Sequence, residues 1–147
     1  MTEIVITRYL HFIAVFAIVG AIIAEQFLIS RKMSIFEIKR ISKIDAIYGF
    51  GAILVLIAGL VLWFTVGKPA QFYSRNWLFH TKLTLFVLLG LLSIYPTIFF
   101  MKHRKGADLD TEIEVPATII VLLRIELIII IIMPLLATYM SLGIGTF

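Results

Sequence analysis

Residues 116–142 read PATIIVLLRIELIIIIIMPLLATYMSL, a stretch that is apolar along nearly its whole length. A helix needs about 20 predominantly apolar residues to cross the hydrocarbon core of a bilayer. Only a helix satisfies all its own backbone hydrogen bonds there, because lipid offers no partners. The stretch therefore predicts a transmembrane helix, and Pro116 suits its first turn, where a backbone N–H has no partner within the helix.

Three further stretches have the same apolar character. Hydrophobic residues make up 61% of the 147 residues and charged residues 15%, and the mean hydropathy is +1.07. This composition excludes an ordinary soluble domain. The predicted spans cover residues 7–29, 44–66, 77–100 and 116–142. We expect residues 1–147 to form one all-α domain, an integral membrane four-helix bundle that spans the bacterial inner (cytoplasmic) membrane several times.

The distribution of Lys and Arg predicts how the bundle is oriented. Five of them lie within 31–43 and three within 102–105, whereas residues 67–76 carry two. The positive-inside rule therefore places the first and third loops in the cytoplasm and both termini outside. Because the basic residues gather at membrane edges, the net charge of +4 predicts no nucleic-acid partner. The absence of Cys excludes disulfides, thiolate metal sites and Cys-linked haem.

Ionisable residues fall into two clusters on this topology, and such residues inside a membrane indicate a functional site. The outer cluster consists of Arg8, His11, Arg75, His80 and Lys82. The inner cluster consists of Glu25, Asp45, Arg124 and Glu126.

The two outer histidines are predicted at the same depth, each about one turn inside its helix. Two facing neutral imidazoles would fill both axial positions of haem b, held without covalent attachment. Arg8, Arg75 and Lys82 would then pair with the haem propionates. The alternative is that His11 and His80 only bond backbone carbonyls or lie among the headgroups.

The inner cluster has a structural and a chemical interpretation. Arg124 lies about two turns into the fourth helix, where an unpaired guanidinium is costly. Glu25 or Asp45 is predicted to neutralise it, in an ion-pair network that fixes the bundle. Glu126 lies off the face of Arg124 and is expected to meet another helix or a second subunit. The chemical interpretation is a proton pathway, because carboxylates at membrane depth often carry protons.

Three stretches resemble an uncharacterised family of bacterial four-helix membrane proteins: DAIYG (45–49), WLFHTKL (77–83) and LLSIYPT (91–97). The resemblance covers nearly the whole chain. His11, Glu25, Arg124 and Glu126 fit the same pattern.

More distantly, the architecture is similar to HemJ-type protoporphyrinogen oxidases and CopD-type copper-resistance proteins. The HemJ resemblance implies haem or porphyrin binding by a first-helix His and a third-helix His-x-Lys-Leu segment, which correspond to His11, His80 and Lys82. The chain departs from that pattern at Val19 and Pro96. These departures favour porphyrin binding over oxidase activity.

The resulting expectation is a haem-b protein in one-electron transfer, with haem between the first and third long helices near the outer face and a quinone or redox protein as partner. The first alternative is a HemJ-like oxidase, with Lys82 or Arg75 holding substrate carboxylates. The second is a non-enzymatic copper- or proton-handling protein or a structural subunit. A homodimer is also expected, because four short helices offer little interior for a cofactor.

Overall fold

Four long helices dominate the computed structural model, which describes residues 1–147 and is 79% helical. They are α1 (Thr2–Leu28), α2 (Ile35–Val61), α4 (Trp77–His103) and α5 (Ala117–Ser141). A π-helical turn (Leu62–Val66) continues α2, and the short α3 (Ala70–Ser74) precedes α4. All four long helices are long and apolar enough to span a membrane. The predicted all-α four-helix membrane bundle is therefore confirmed.

Helix α2 begins at Ile35, well before the predicted start at residue 44. Ser34 Oγ accepts a hydrogen bond from the Glu37 backbone N–H at 3.2 Å, and Glu37 Oε2 accepts one from the Ser34 N–H at 2.8 Å. This capping box satisfies two N–H groups that the helix start would otherwise leave unpaired. The added turns bury Ile38 and Ile41, so part of the predicted first loop is an amphipathic extension of α2.

A two-stranded ladder joins the first and third long connections at one end of the bundle. Strand β1 (Lys32–Ser34) pairs antiparallel with β2 (Glu112–Glu114), with Met33 opposite Ile113. The Arg31 guanidinium lies 3.2 Å from the Glu114 carboxylate beside it. The two Lys- and Arg-rich segments thus meet at the same end of the bundle, as the predicted topology requires.

The C-terminal segment docks at the opposite end, against the start of α4. Asn76 caps α4 through its Oδ1, which accepts from the Leu78 N–H at 2.9 Å, and its Nδ2 donates to the Ile144 carbonyl at 3.0 Å. Gly143 and Gly145 have φ of +81° and +92°, a conformation that favours glycine. A single buried side chain therefore joins the α3–α4 connection to the C-terminus.

Buried apolar side chains form two layers rather than one continuous core. The first, next to the β-ladder, consists of Met33, Ile38, Ile41, Phe99, Phe100, Val115, Ile119 and Leu123. The second, at mid-height, consists of Ile18, Ala21, Ile22, Tyr48, Leu89, Ile129 and Ile130. No such layer fills the outer third of the bundle.

Helices α1 and α2 approach each other closely at Gly51. A Cβ atom there would lie 3.1 Å from Ile18 Cγ1 and 3.3 Å from the Ala14 carbonyl oxygen. A small residue at such a crossing lets two membrane helices pack backbone against side chain.

We expect Gly51→Val to destabilise the bundle by about 1–3 kcal/mol, the range for overpacking a close contact. The measurement is the free energy of unfolding in mixed micelles titrated with a denaturing detergent. Gly20→Val is the matched control, because a Cβ at Gly20 meets nothing within 4 Å. Equal losses in the two variants would show that Gly51 is not a packing position.

Candidate functional site

A cavity of about 470 Å³ occupies the outer third of the bundle, between all four long helices. Its volume lies within the range of roughly 300–1,000 Å³ that small-molecule sites have. The lining is mostly apolar and aromatic. Phe12 and Leu56 line it and are also exposed on the bundle surface, so the cavity borders the surrounding lipid. We call it the outer cavity.

His11 of α1 lines the outer cavity and is partly buried. Its Nδ1 is buried and has no hydrogen-bond partner. Gly59 of α2 faces the ring, since a Cβ there would lie 3.7 Å from His11 Cε1. The absence of a side chain at position 59 keeps the space beside the imidazole open.

Lys82 of α4 lines the same cavity and is also partly buried. The one ion pair of the protein, Arg31–Glu114, lies at the other end of the bundle, so the Lys82 ammonium has no counter-ion. An unpaired charge at membrane depth is costly unless something neutralises it. The cavity therefore favours a ligand that carries a negative group.

Trp63 forms a rigid aromatic wall of the outer cavity. Its ring stacks on Phe64 at a centroid distance of 4.4 Å and meets Phe79 edge to face at 4.7 Å. Its indole Nε1 is buried without a partner. Met133 of α5 adds the one sulfur atom of the lining. The cavity thus combines flat apolar walls with several unsatisfied polar atoms.

The structure does not bring His80 into the outer cavity. His80 is exposed, and its Nε2 lies 2.9 Å from the Ser74 carbonyl oxygen, to which it donates in the tautomer protonated there. Positions two apart on a helix point about 200° apart, so α4 turns Lys82 inward and His80 outward, whereas both were predicted to belong to one outer site. Arg8 and Arg75 are exposed as well and do not line the cavity.

Three carboxylates of the inner cluster meet inside the bundle. Glu25 of α1, Asp45 of α2 and Glu126 of α5 are 1%, 4% and 1% exposed. Thr97 Oγ1 donates to Asp45 Oδ1 at 3.0 Å. The Oε1 atoms of Glu25 and Glu126 are buried without any partner.

Arg124 is not part of this inner group. The predicted ion pair with Glu25 or Asp45 is absent, because Arg124 is exposed on α5. The helix rotation between positions 124 and 126 turns Glu126 into the bundle and Arg124 out of it. Arg124 instead lies in the half of α5 nearer the β-ladder, where a long basic side chain can extend toward the headgroups.

A second, more polar cavity of about 340 Å³ leads toward the inner group between α2 and α4. Asp45, Ser42 and Arg104 line it, and Arg104 Nη1 donates to Ser42 Oγ at 3.4 Å. We call it the inner cleft. No group of three or more His, Asp or Glu side chains is placed to hold a metal ion, so the inner carboxylates are not arranged as a chelating site.

Several residues of these two sites escaped prediction. Trp63 is typical of the aromatic residues that lie at a membrane interface. The sequence around Met133 and Thr97 contains no pattern that marks either as a site residue. Only Tyr48, three residues after Asp45, shares a helical face with a carboxylate at a spacing that indicates contact. Trp63, Met133 and Thr97 join these sites because their helices face other helices. Contacts between helices leave no pattern in the neighbouring sequence.

Removal of the Lys82 charge should stabilise the protein in the absence of ligand. We expect Lys82→Met to raise the free energy of unfolding by up to about 3 kcal/mol, since a lysine at the centre of a membrane helix costs about 2.5–3.5 kcal/mol and Lys82 lies nearer the start of α4. Lys102→Met is the control, because Lys102 is exposed at the β-ladder end of α4. Detergent-induced unfolding of both variants gives the comparison, and a destabilised Lys82→Met would contradict the unpaired ammonium.

A family model described as "Predicted membrane protein (DUF2214)" matches residues 3–145, so the chain belongs to this family. No curated protein and no solved structure matches the chain. The similarity to HemJ-type oxidases and CopD-type proteins stays a prediction.

Proposed function

We propose that this member of the DUF2214 membrane-protein family binds haem b in the outer cavity and takes part in one-electron transfer. The observation that carries the proposal is the presence, in one cavity, of an imidazole nitrogen without a partner and an ammonium without a counter-ion. Haem iron is commonly held by a histidine nitrogen, and its propionates pair with cations.

His11 is the axial ligand in this proposal. Its imidazole lines the cavity, and Gly59 next to it adds no side chain to the space that a flat macrocycle would occupy. Met133 is the second ligand that the lining offers, and a His–Met pair is a combination found in electron-transfer haem proteins. Ligation by His80 instead would require the His80 ring to leave the Ser74 carbonyl and turn inward.

Lys82 holds a propionate in this proposal. A charge-assisted hydrogen bond to a carboxylate would neutralise its ammonium within the apolar lining. Arg8 and Arg75 lie outside the cavity, where they would act only on groups that extend beyond it.

Haem supplies one-electron exchange when bound, and the protein sets access to it. The cavity borders lipid through Phe12 and Leu56, so a quinone dissolved in the bilayer is the partner that this opening favours, with a redox protein as the other candidate. A single chain provides the whole cavity, so haem binding needs no second subunit. The reason for expecting a homodimer therefore does not apply.

We expect purified protein titrated with haem to develop a Soret band that shifts on reduction. His11→Ala should lose this spectrum, whereas Lys82→Met should retain it with binding weakened about tenfold or more, the value of one charge-assisted hydrogen bond. His103→Ala is the control, since His103 lies at the opposite end of the bundle and stacks on Phe99.

His80→Ala separates the two possible ligand sets. A spectrum that survives in His80→Ala and changes in Met133→Leu supports ligation by His11 and Met133. Loss in His80→Ala supports the bis-histidine arrangement. A spectrum unchanged in His11→Ala contradicts the whole assignment.

A second candidate is oxidation of a porphyrinogen, with hydrogen equivalents passed to a quinone-class acceptor. The specific observation in its favour is that Lys82 faces the cavity while His80 does not. One imidazole and one cation suit a tetrapyrrole substrate that carries carboxylates and must leave again.

The oxidase candidate predicts that the gene restores growth to a bacterium that lacks porphyrinogen oxidation. Lys82→Ala should abolish this rescue, because the substrate carboxylate loses its partner. Arg8→Ala is the control, as Arg8 lies outside the cavity. Failure of the wild-type gene, expressed and inserted in the membrane, would refute the oxidase.

A further inference from the structure

We infer that Glu25, Asp45 and Glu126 form a proton-binding site that exchanges protons with the cytoplasmic end of the bundle through the inner cleft. The inference stands apart from the proposed function, since none of these carboxylates lines the outer cavity. It rests on their burial, on unpartnered oxygens and on the position of the cleft.

No cation neutralises the three carboxylates. Arg124 is exposed, and the one ion pair of the protein lies at the β-ladder. The groups that α2 and α4 contribute around them are Tyr48, Ser93, Thr97 and, at the mouth of the cleft, Arg104. On α1, the neighbouring Gln26 donates its amide to the Leu123 carbonyl at 2.8 Å and so supplies no charge.

Three negative charges without cations are not stable in a nonpolar interior, because each loses its hydration and repels the others. Protons neutralise such a group at the smallest structural cost. The Oε1 atoms of Glu25 and Glu126 have no hydrogen-bond partner. We expect the protons to bind at these two oxygens.

The inner cleft supplies the route for protons. Its volume of about 340 Å³ accommodates several water molecules, each of which occupies about 30 Å³ in the liquid. Asp45 lines the cleft, whereas Glu25 and Glu126 do not. Asp45 therefore lies between the cleft and the two glutamates, with Thr97 Oγ1 holding one of its oxygens.

Passage toward the outer side is blocked. The mid-height layer between the glutamates and the outer cavity includes the hydrocarbon side chains of Ile18, Ile22, Leu89, Ile129 and Ile130. Tyr48 is the one member of this layer with a polar group, and its hydroxyl donates to the Leu89 carbonyl oxygen at 3.5 Å. A backbone carbonyl does not pass a proton on, so the layer offers no continuous polar path to the outer cavity. The site therefore takes up and releases protons on the cytoplasmic side and does not conduct them through the protein.

Infrared spectroscopy of the purified protein in detergent at neutral pH tests the inference. Exposed Asp and Glu side chains are ionised there, so a carbonyl stretch of protonated carboxyl groups reports buried ones. We expect this band in the wild type and a clear loss of its intensity in Glu25→Gln and Glu126→Gln. His11→Ala should retain it in full, which separates this site from the haem proposal.

Transfer into heavy water tests the route. Gly49 lines the cleft and a Cβ there meets nothing within 4 Å, so Gly49→Leu fills the cleft without a backbone clash. We expect its carboxyl band to shift about tenfold more slowly than in the wild type, because exchange then requires local opening. Gly20→Leu adds the same side chain on the exposed side of α1 and should exchange at the wild-type rate.

The absence of a protonated-carboxyl band in the wild type would overturn the inference, and so would a band that survives unchanged in both glutamine variants. Equal exchange in Gly49→Leu and the wild type would overturn the route through the cleft. The exchange measurement keeps all three carboxyl groups, so it decides the question even where a glutamine variant does not fold.

Discussion

The structure depends on one constraint: a charged or hydrogen-bonding group in hydrocarbon must find a partner inside the protein. The helices satisfy their backbones by their own geometry, and the side chains satisfy the constraint unequally. Most polar groups lie at the ends of the bundle, where a capping box and a paired strand engage them. The exceptions lie inside the bundle and lack a partner: the Lys82 ammonium, one carboxyl oxygen each of Glu25 and Glu126, and the ring nitrogens His11 Nδ1 and Trp63 Nε1.

These exceptions divide the bundle into two chemically distinct halves. The outer half contains a cavity with a nitrogen base and a cation, and the inner half contains acids beside the smaller inner cleft. The mostly hydrocarbon layer between them, built on residues such as Ile22 and Leu89, separates the two halves. A ligand in one half and protons in the other would therefore act on each other only through movement of the helices that they share.

Much of the fold was predictable, because hydrophobic length alone identifies four spans. The start of α2 was not, since the capping box at Ser34 and Glu37 extends the helix beyond the apolar stretch. Helix periodicity alone separates His80 from Lys82, and Arg124 from Glu126, on their helices. Which member of each pair faces inward depends on how the helices are rotated against one another, and contacts such as Gly51 against Ile18 decide that. Those contacts cannot be predicted from the sequence of either helix alone.

The β1–β2 ladder has a consequence for biosynthesis. It joins segments whose paired side chains, Arg31 and Glu114, are 83 positions apart. Until the ribosome has made β2, strand β1 presents unpaired backbone groups at this end of the bundle. The α1–α2 hairpin must therefore wait in the membrane through the synthesis and insertion of α4. Closure of the ladder fixes the two helical hairpins to each other, and it can occur only after most of the chain has been translated.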